Sequence, residues 1–237
     1  MIGRAFAWAV HGLTASGAVF AFLALLAIEQ RDWRLALLWL AAALAVDAFD
    51  GTLARWAHVK TRAPRIDGDT LDLIIDYLNY VFVPTVLIWR AELVPTALAP
   101  WLAAAILVSA LYNFTRRDLK TDDNYFRGFP SLWNVVAFYL FVTTPPPEAA
   151  AAIVAALAAL TFTSLPVVHP FRVRDFGRWL PALALAWAAS TLALIWPGWG
   201  LPVWRALLWA SVVLVAVLLG LGVLRAIRGP RPAAPSA

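Results

Sequence analysis

Four aspartates define the chemistry open to this chain: Asp47, Asp50, Asp72 and Asp76, each set in an otherwise apolar stretch. Asp47 and Asp50 stand three residues apart and Asp72 and Asp76 four apart, so in helices each pair shares one face. One charged side chain near the middle of a bilayer costs about 2.5–3.5 kcal/mol, and four unpaired carboxylates cost on the order of 10 kcal/mol. Arg55 lies beside them, and one guanidinium does not neutralise four carboxylates. Two divalent cations would. With no cysteine in the chain and no histidine among the acids, hard oxygen-seeking Mg²⁺ or Mn²⁺ is expected rather than zinc. Two such ions can bridge phosphate oxygens and stabilise both attacking and leaving groups, which is the chemistry of phosphoryl transfer. Gly51, Ala54 and Gly68 accompany the acids and leave room for a bulky ligand. A proton relay would use the same acids without needing those small residues.

The elements that carry the acids must be membrane helices. Of 237 residues, 62% are hydrophobic and only 14% charged, against about 25% charged in soluble domains. The apolar runs approach the length of about 20 residues that crosses a bilayer, rather than the short alternating strands of a membrane barrel. Eight helices are expected, at about 5–28, 35–56, 69–89, 96–113, 130–144, 149–165, 179–196 and 203–224. The fold class is therefore an all-α polytopic membrane protein. Residues 1–228 are expected to form a single integral membrane catalytic domain, and 229–237 a disordered cytoplasmic tail. The first segment carries His11, Thr14 and Ser16 and lacks a small-x-small cleavage site leading to a soluble domain, so it reads as a retained helix.

The net charge of +5 serves topology rather than nucleic-acid binding. Counting on alternating sides places 15 of the 19 Lys and Arg residues on one face, in the three loops around Arg62, Arg117 and Arg172 and at both termini; Arg31, Arg34, Arg90 and Arg205 take the other. By the positive-inside rule both termini, and the loop joining the two pairs of acids, are cytoplasmic.

Asp47, two residues, Asp50-Gly51, two residues, Ala54-Arg55, then Gly68, three residues, Asp72, three residues, Asp76 resembles the signature of the CDP-alcohol phosphotransferases. That resemblance implies a six-helix catalytic core, commonly dimeric, that uses two metal ions to move a phosphoalcohol from a CDP-linked donor to a hydroxyl acceptor with release of CMP. The twelve residues from Trp56 to Asp67 exceed the eight found in most of the family and are similar to the loop of its bacterial phosphatidylcholine synthase branch. Further likeness to that branch lies in His11 with Leu13 to Gly17, in Gly68 to Asp72 with Ile75-Asp76-Tyr77, in Lys120-Thr121-Asp122, in Gly128-Phe129-Pro130 with Trp133-Asn134, and in His169-Pro170 with Arg172-Val173.

Carried over residue by residue, the resemblance makes Asp47, Asp50 and Asp72 metal ligands and gives Asp76 both metal contact and the role of general base. Asp50, Gly51, Ala54, Arg55 and Gly68 would hold the CDP-lipid, Arg55 either touching the diphosphate or bracing an acid. The implied substrates are CDP-diacylglycerol and choline, with membrane lipids as surroundings, a bacterial inner membrane as location and a homodimer as a possible assembly. Choline offers no hydrogen-bond donor on its ammonium and is best held over aromatic faces; Tyr77, Tyr80, Tyr125 and Trp133 are the candidates. The same residue types also belong to interfacial belts. Other acceptors of the same family (serine, inositol, glycerol phosphate) would call for a cationic pocket, and a transporter would use intramembrane acids for ion coupling.

Overall fold

The computed structural model describes residues 2–173, 176–196 and 200–229. The tail from Pro230 onward, with Arg231, lies outside the described residues, as does Arg174. All eight expected helices are present. Among the described residues, four are long and apolar enough to cross a membrane: Gly3–Glu29, Trp33–Ala57, Gly68–Arg90 and Leu201–Arg228. The other four, Ala99–Thr115, Trp133–Thr143, Pro147–Leu160 and Trp179–Ile195, are apolar but shorter.

The chain forms two compact units. The first comprises Met1–Phe114 and Ser131–Ala155. It opens with α1 (Ile2–Glu29) and α2 (Trp33–Ala57), which pack along each other. Asp32 starts α2 by accepting the Leu35 amide on its side chain, and His58 ends it in the left-handed region at φ 51°. The small residues that let α1 and α2 approach are visible in a cluster of Ala7, Val10, Ala57, Val59 and Ala63, with Leu53 and Ala54 against it. The stretch 56–67 is not the plain loop expected: Val59–Arg62 makes one helical turn, α3, whose Val59 and the following Ala63 are buried in that cluster.

Asp67 then caps α4 (Gly68–Asp76), its Oδ1 accepting from the amides of Asp69 and Thr70. Those bonds hold the Asp67 carboxyl below its ordinary range. The expected single helix 69–89 is compound. After α4 comes a π turn, Tyr77–Phe82, and then α5 (Val83–Arg90), with Pro84 in its first turn. α6 (Ala99–Thr115), α7 (Trp133–Thr143) and the start of α8 (Pro147–Leu160) complete the unit. α7 begins three residues later than expected because Ser131 holds a positive φ of 58° and breaks the helical path before it.

The second unit comprises Thr115–Pro130 and Ala156–Ala237. It contains a feature not expected from the sequence, a two-stranded antiparallel pairing of β1 (Phe126–Arg127) with β2 (Pro166–Val167). Gly128 follows β1 at φ 75°, and a Cβ there would lie 2.6 Å from the Leu160 carbonyl oxygen, so only glycine fits. α9 (Trp179–Ile195) and α10 (Leu201–Arg228) pack together, and α10 runs against β2. Tyr125, Val168, Val173, Leu180 and Leu218 form the core of this unit.

His169 stacks on Phe126 with ring centroids 5.2 Å apart and planes 7° from parallel. Burial, reinforced by the charges of Lys120 and Arg172, pushes its imidazole down from 6.5 to about 4. The unfolded chain therefore takes up this proton first, and the stabilisation, complete above the ordinary value of 6.5, is lost as pH falls toward 4. Thermal melting of the detergent-solubilised protein is expected to drop between about pH 7 and pH 5, and His169→Gln is expected to flatten that drop.

Candidate active site

The acids converge inside the first unit. Asp47 and Asp50 lie near the end of α2, and Asp72 and Asp76 lie on α4, whose start is fixed by the Asp67 cap. One carboxylate oxygen from each of Asp47, Asp50 and Asp72 comes within 4.8 Å of the others. Asp50 is buried, and Asp47 and Asp72 are half-buried. Three carboxylates this close repel one another strongly in a poorly solvated place, and an oxygen-only donor set of this size suits a hard divalent cation. The triad can therefore bind a metal. Asp76, one turn beyond Asp72, is a hydrogen-bonding neighbour of Asp47 and feels the charges of Asp72 and Asp50 as well. Each pair occupies a single helical face, as its spacing predicts, and the packing of α2 with the third spanning helix brings the two faces together.

The flanking small residues divide into two kinds. Gly51 is exposed, and the sole atom near a Cβ built there is the Arg55 Nη1, 3.6 Å away, so this side of the triad is open. Gly68 faces the His11 ring instead, whose Cε1 would lie 3.2 Å from a Cβ. Ala54 packs on the α1–α2 cluster. Arg55 is exposed and donates through Nη2 to Thr52 Oγ1 at 3.0 Å; it makes no ion pair with any of the four aspartates. Of its two expected roles, bracing an acid is thus not what this arrangement displays.

Two polar residues of α1 belong to the site's surroundings. Thr14 is a hydrogen-bonding neighbour of Asp50. His11, one turn before it, is 5% exposed and sits against Gly68.

The four aromatic candidates are not equivalent. Tyr80, on the π turn, is buried and donates its hydroxyl to Asp47 Oδ2. Tyr77 turns to α6, donating to the Leu107 carbonyl at 3.3 Å and meeting Phe114 edge-on at 5.9 Å. Trp133 is fully buried at the start of α7. Tyr125 is fully buried in the second unit, where the Arg225 guanidinium stands 5.5 Å from its ring centroid. Arg225 also binds Asp123 with two contacts, Nε to Oδ2 at 3.0 Å and Nη2 to Oδ1 at 3.2 Å, a pairing across 102 residues that no local spacing reveals.

Comparison with known proteins agrees with this geometry. The profile of the CDP-alcohol phosphatidyltransferase family matches residues 12–165, a span that includes all four aspartates. Pseudomonas aeruginosa has a relative named phosphatidylcholine synthase that is 45% identical over 194 residues, 82% of each chain. A protein of the same name from Bradyrhizobium diazoefficiens is 43% identical over 80% of this chain and 71% of its own. Another, from Borreliella burgdorferi, is 35% identical over 73% and 74% respectively.

Titration of the purified protein with Mn²⁺, followed by the electron paramagnetic resonance of the free ion, is expected to show saturable binding. Asp50→Asn and Asp72→Asn are each expected to weaken it more than about hundredfold; undiminished binding in both would remove the metal from the triad.

Proposed function

Because the chain belongs to the CDP-alcohol phosphatidyltransferase family, we propose that it is a phosphatidylcholine synthase, transferring the phosphatidyl group of CDP-diacylglycerol to choline with release of CMP. The observation that carries the reading is the convergence of Asp47, Asp50 and Asp72 within 4.8 Å beside the open face at Gly51. Acceptor identity is supported by relatives of that name at 35–45% identity over most of the chain.

Two divalent ions, Mg²⁺ or Mn²⁺, held by Asp47, Asp50, Asp72 and Asp76, would supply charge neutralisation of the diphosphate and of the departing CMP. The residues do the rest. Asp76 takes the proton from the choline hydroxyl as that oxygen attacks the lipid-linked phosphorus; the new P–O bond forms while the bond from that phosphorus to the bridging oxygen breaks, and CMP carries away the electron pair. Gly51 would leave the nucleotide space beside Asp50, and Arg55, exposed and uncommitted to any acid, would meet the diphosphate. Holding donor and acceptor in line accounts for much of the acceleration in such a displacement.

Choline would be taken by aromatic faces of the first unit, drawn from Tyr77, Tyr80 and Trp133. Tyr80 is favoured for its place beside Asp47. The same reading sets the protein in a bacterial inner membrane with both termini and the active site on the cytoplasmic side, as the charge distribution supports. A homodimer is part of it.

Membranes given CDP-diacylglycerol, Mn²⁺ and labelled choline are expected to form labelled phosphatidylcholine and CMP in equal amounts. Incorporation of serine or inositol in place of choline would overturn the acceptor. Asp76→Asn is expected to cut kcat by about 10²- to 10⁴-fold, and activity surviving Asp72→Asn with Asp76→Asn would overturn the mechanism. Tyr-to-Ala changes in the pocket are expected to raise the KM for choline more than that for the CDP-lipid; equal effects would count against the pocket.

A further inference from the structure

The third spanning helix changes its winding just where it leaves the acids. α4 carries Asp72 and Asp76 and gives way at Tyr77 to the π turn that runs to Phe82. Such turns are rare, and those that persist collect at functional sites. Two consecutive residues of this one are buried polar groups, each with a specific partner on a different helix. Asn79 Nδ2 donates to the Gly17 carbonyl of α1 at 3.0 Å and to the Ile75 carbonyl of its own helix at 3.0 Å. A Cβ at Gly17 would lie 2.3 Å from Ile75 Cγ2, so α1 and α4 meet there at a distance only glycine permits. Tyr80 points elsewhere: 7% exposed, it passes its hydroxyl proton toward Asp47 Oδ2 on α2. The turn is thus secured to α1 through Asn79 and delivers a phenol to α2 through Tyr80.

A phenol suits this position for a physical reason. It binds one carboxylate oxygen without adding a positive charge that would compete with a cation for the triad, and it makes no claim on the second oxygen of Asp47. Partners of this kind fix the orientation of metal-binding side chains and tune affinity through them. We infer that the Tyr80 hydroxyl is a positioning group for Asp47, holding that carboxylate in the orientation in which it joins Asp50 and Asp72 around a divalent cation. The inference rests on the metal-site reading above. It concerns the hydroxyl alone, apart from any contact of the ring with choline.

Tyr80→Phe separates the two, since it keeps the ring and removes one oxygen. Mn²⁺ titration of the purified full chain is expected to show binding weakened about tenfold or more in Tyr80→Phe. Activity is expected to recover as Mn²⁺ is raised, with the KM for choline unchanged at saturating metal. A hydroxyl that merely satisfies a buried group would shift the melting temperature and leave Mn²⁺ affinity where it was, and that result would overturn the inference. A raised choline KM with unaltered Mn²⁺ affinity would overturn it too, assigning the hydroxyl to the substrate. Asp47→Asn, measured alongside, keeps the two readings apart: if it leaves Mn²⁺ binding intact, the metal site itself is wrong, whereas if it abolishes binding and Tyr80→Phe does not alter it, only the role of Tyr80 fails. Should Tyr80→Phe not withstand purification, the Mn²⁺ concentration for half-maximal activity in isolated membranes gives the same comparison.

Discussion

The mutual repulsion of four carboxylates placed inside apolar helices is the constraint to which the rest of this structure answers. Each acid is costly in such surroundings, and bringing three of them within 4.8 Å compounds the cost. A fold can sustain that only by rigid placement and by supplying a counter-charge. The placement is visible in the sharp cap at Asp67, the glycine-mediated approach of α1 to α4, and the close packing of alanines between α1 and α2. The counter-charge does not come from the nearest cation, since Arg55 reaches Thr52 instead of an acid.

Polar side chains around the acids are graded by what they can do without adding charge. Thr14 and Tyr80 approach Asp50 and Asp47 with hydroxyls, and His11 is placed against Gly68. Basic residues engage acids elsewhere: Lys60 with Asp69 on the exposed surface, where such a pair adds little stability, and Arg225 with Asp123 in the second unit, where it is shielded on both sides. Arg55, the guanidinium beside Gly51, binds Thr52 and leaves the negative charge of the acids unspent.

Much of this was legible in the sequence where the physics is local. The pairs Asp47/Asp50 and Asp72/Asp76 follow from helical periodicity, and eight apolar runs predicted eight helices with ends correct to within a few residues. Legibility failed where distant residues decide the outcome. The π turn at 77–82 has no periodic signature, because Tyr77 to Phe82 would continue an α-helix equally well by composition. Helix α3 exists because Val59 and Ala63 find an apolar cluster contributed by α1. The pairing of β1 with β2 joins segments forty residues apart through two-residue strands, too short for any alternation to show. Tyr80 was singled out for its ring, while its hydroxyl contact with Asp47 depends on how α2 and the π turn are juxtaposed.

The π turn also changes what a small length mutation means in this helix. An i→i+5 turn accommodates one residue more than the α-helix would over the same rise. Removing a single residue between Tyr77 and Phe82 would therefore be absorbed by a return to regular winding, with Val83 to Arg90 kept in their present orientation, whereas the same deletion in a regular stretch of helix rotates everything beyond it by about 100° around the axis. The apolar face that α5 buries, Val83, Leu87 and Ile88, would stay where it is, and so would the acids at Asp72 and Asp76. The loss would fall on the turn itself, whose winding sends Asn79 to α1 and Tyr80 to α2.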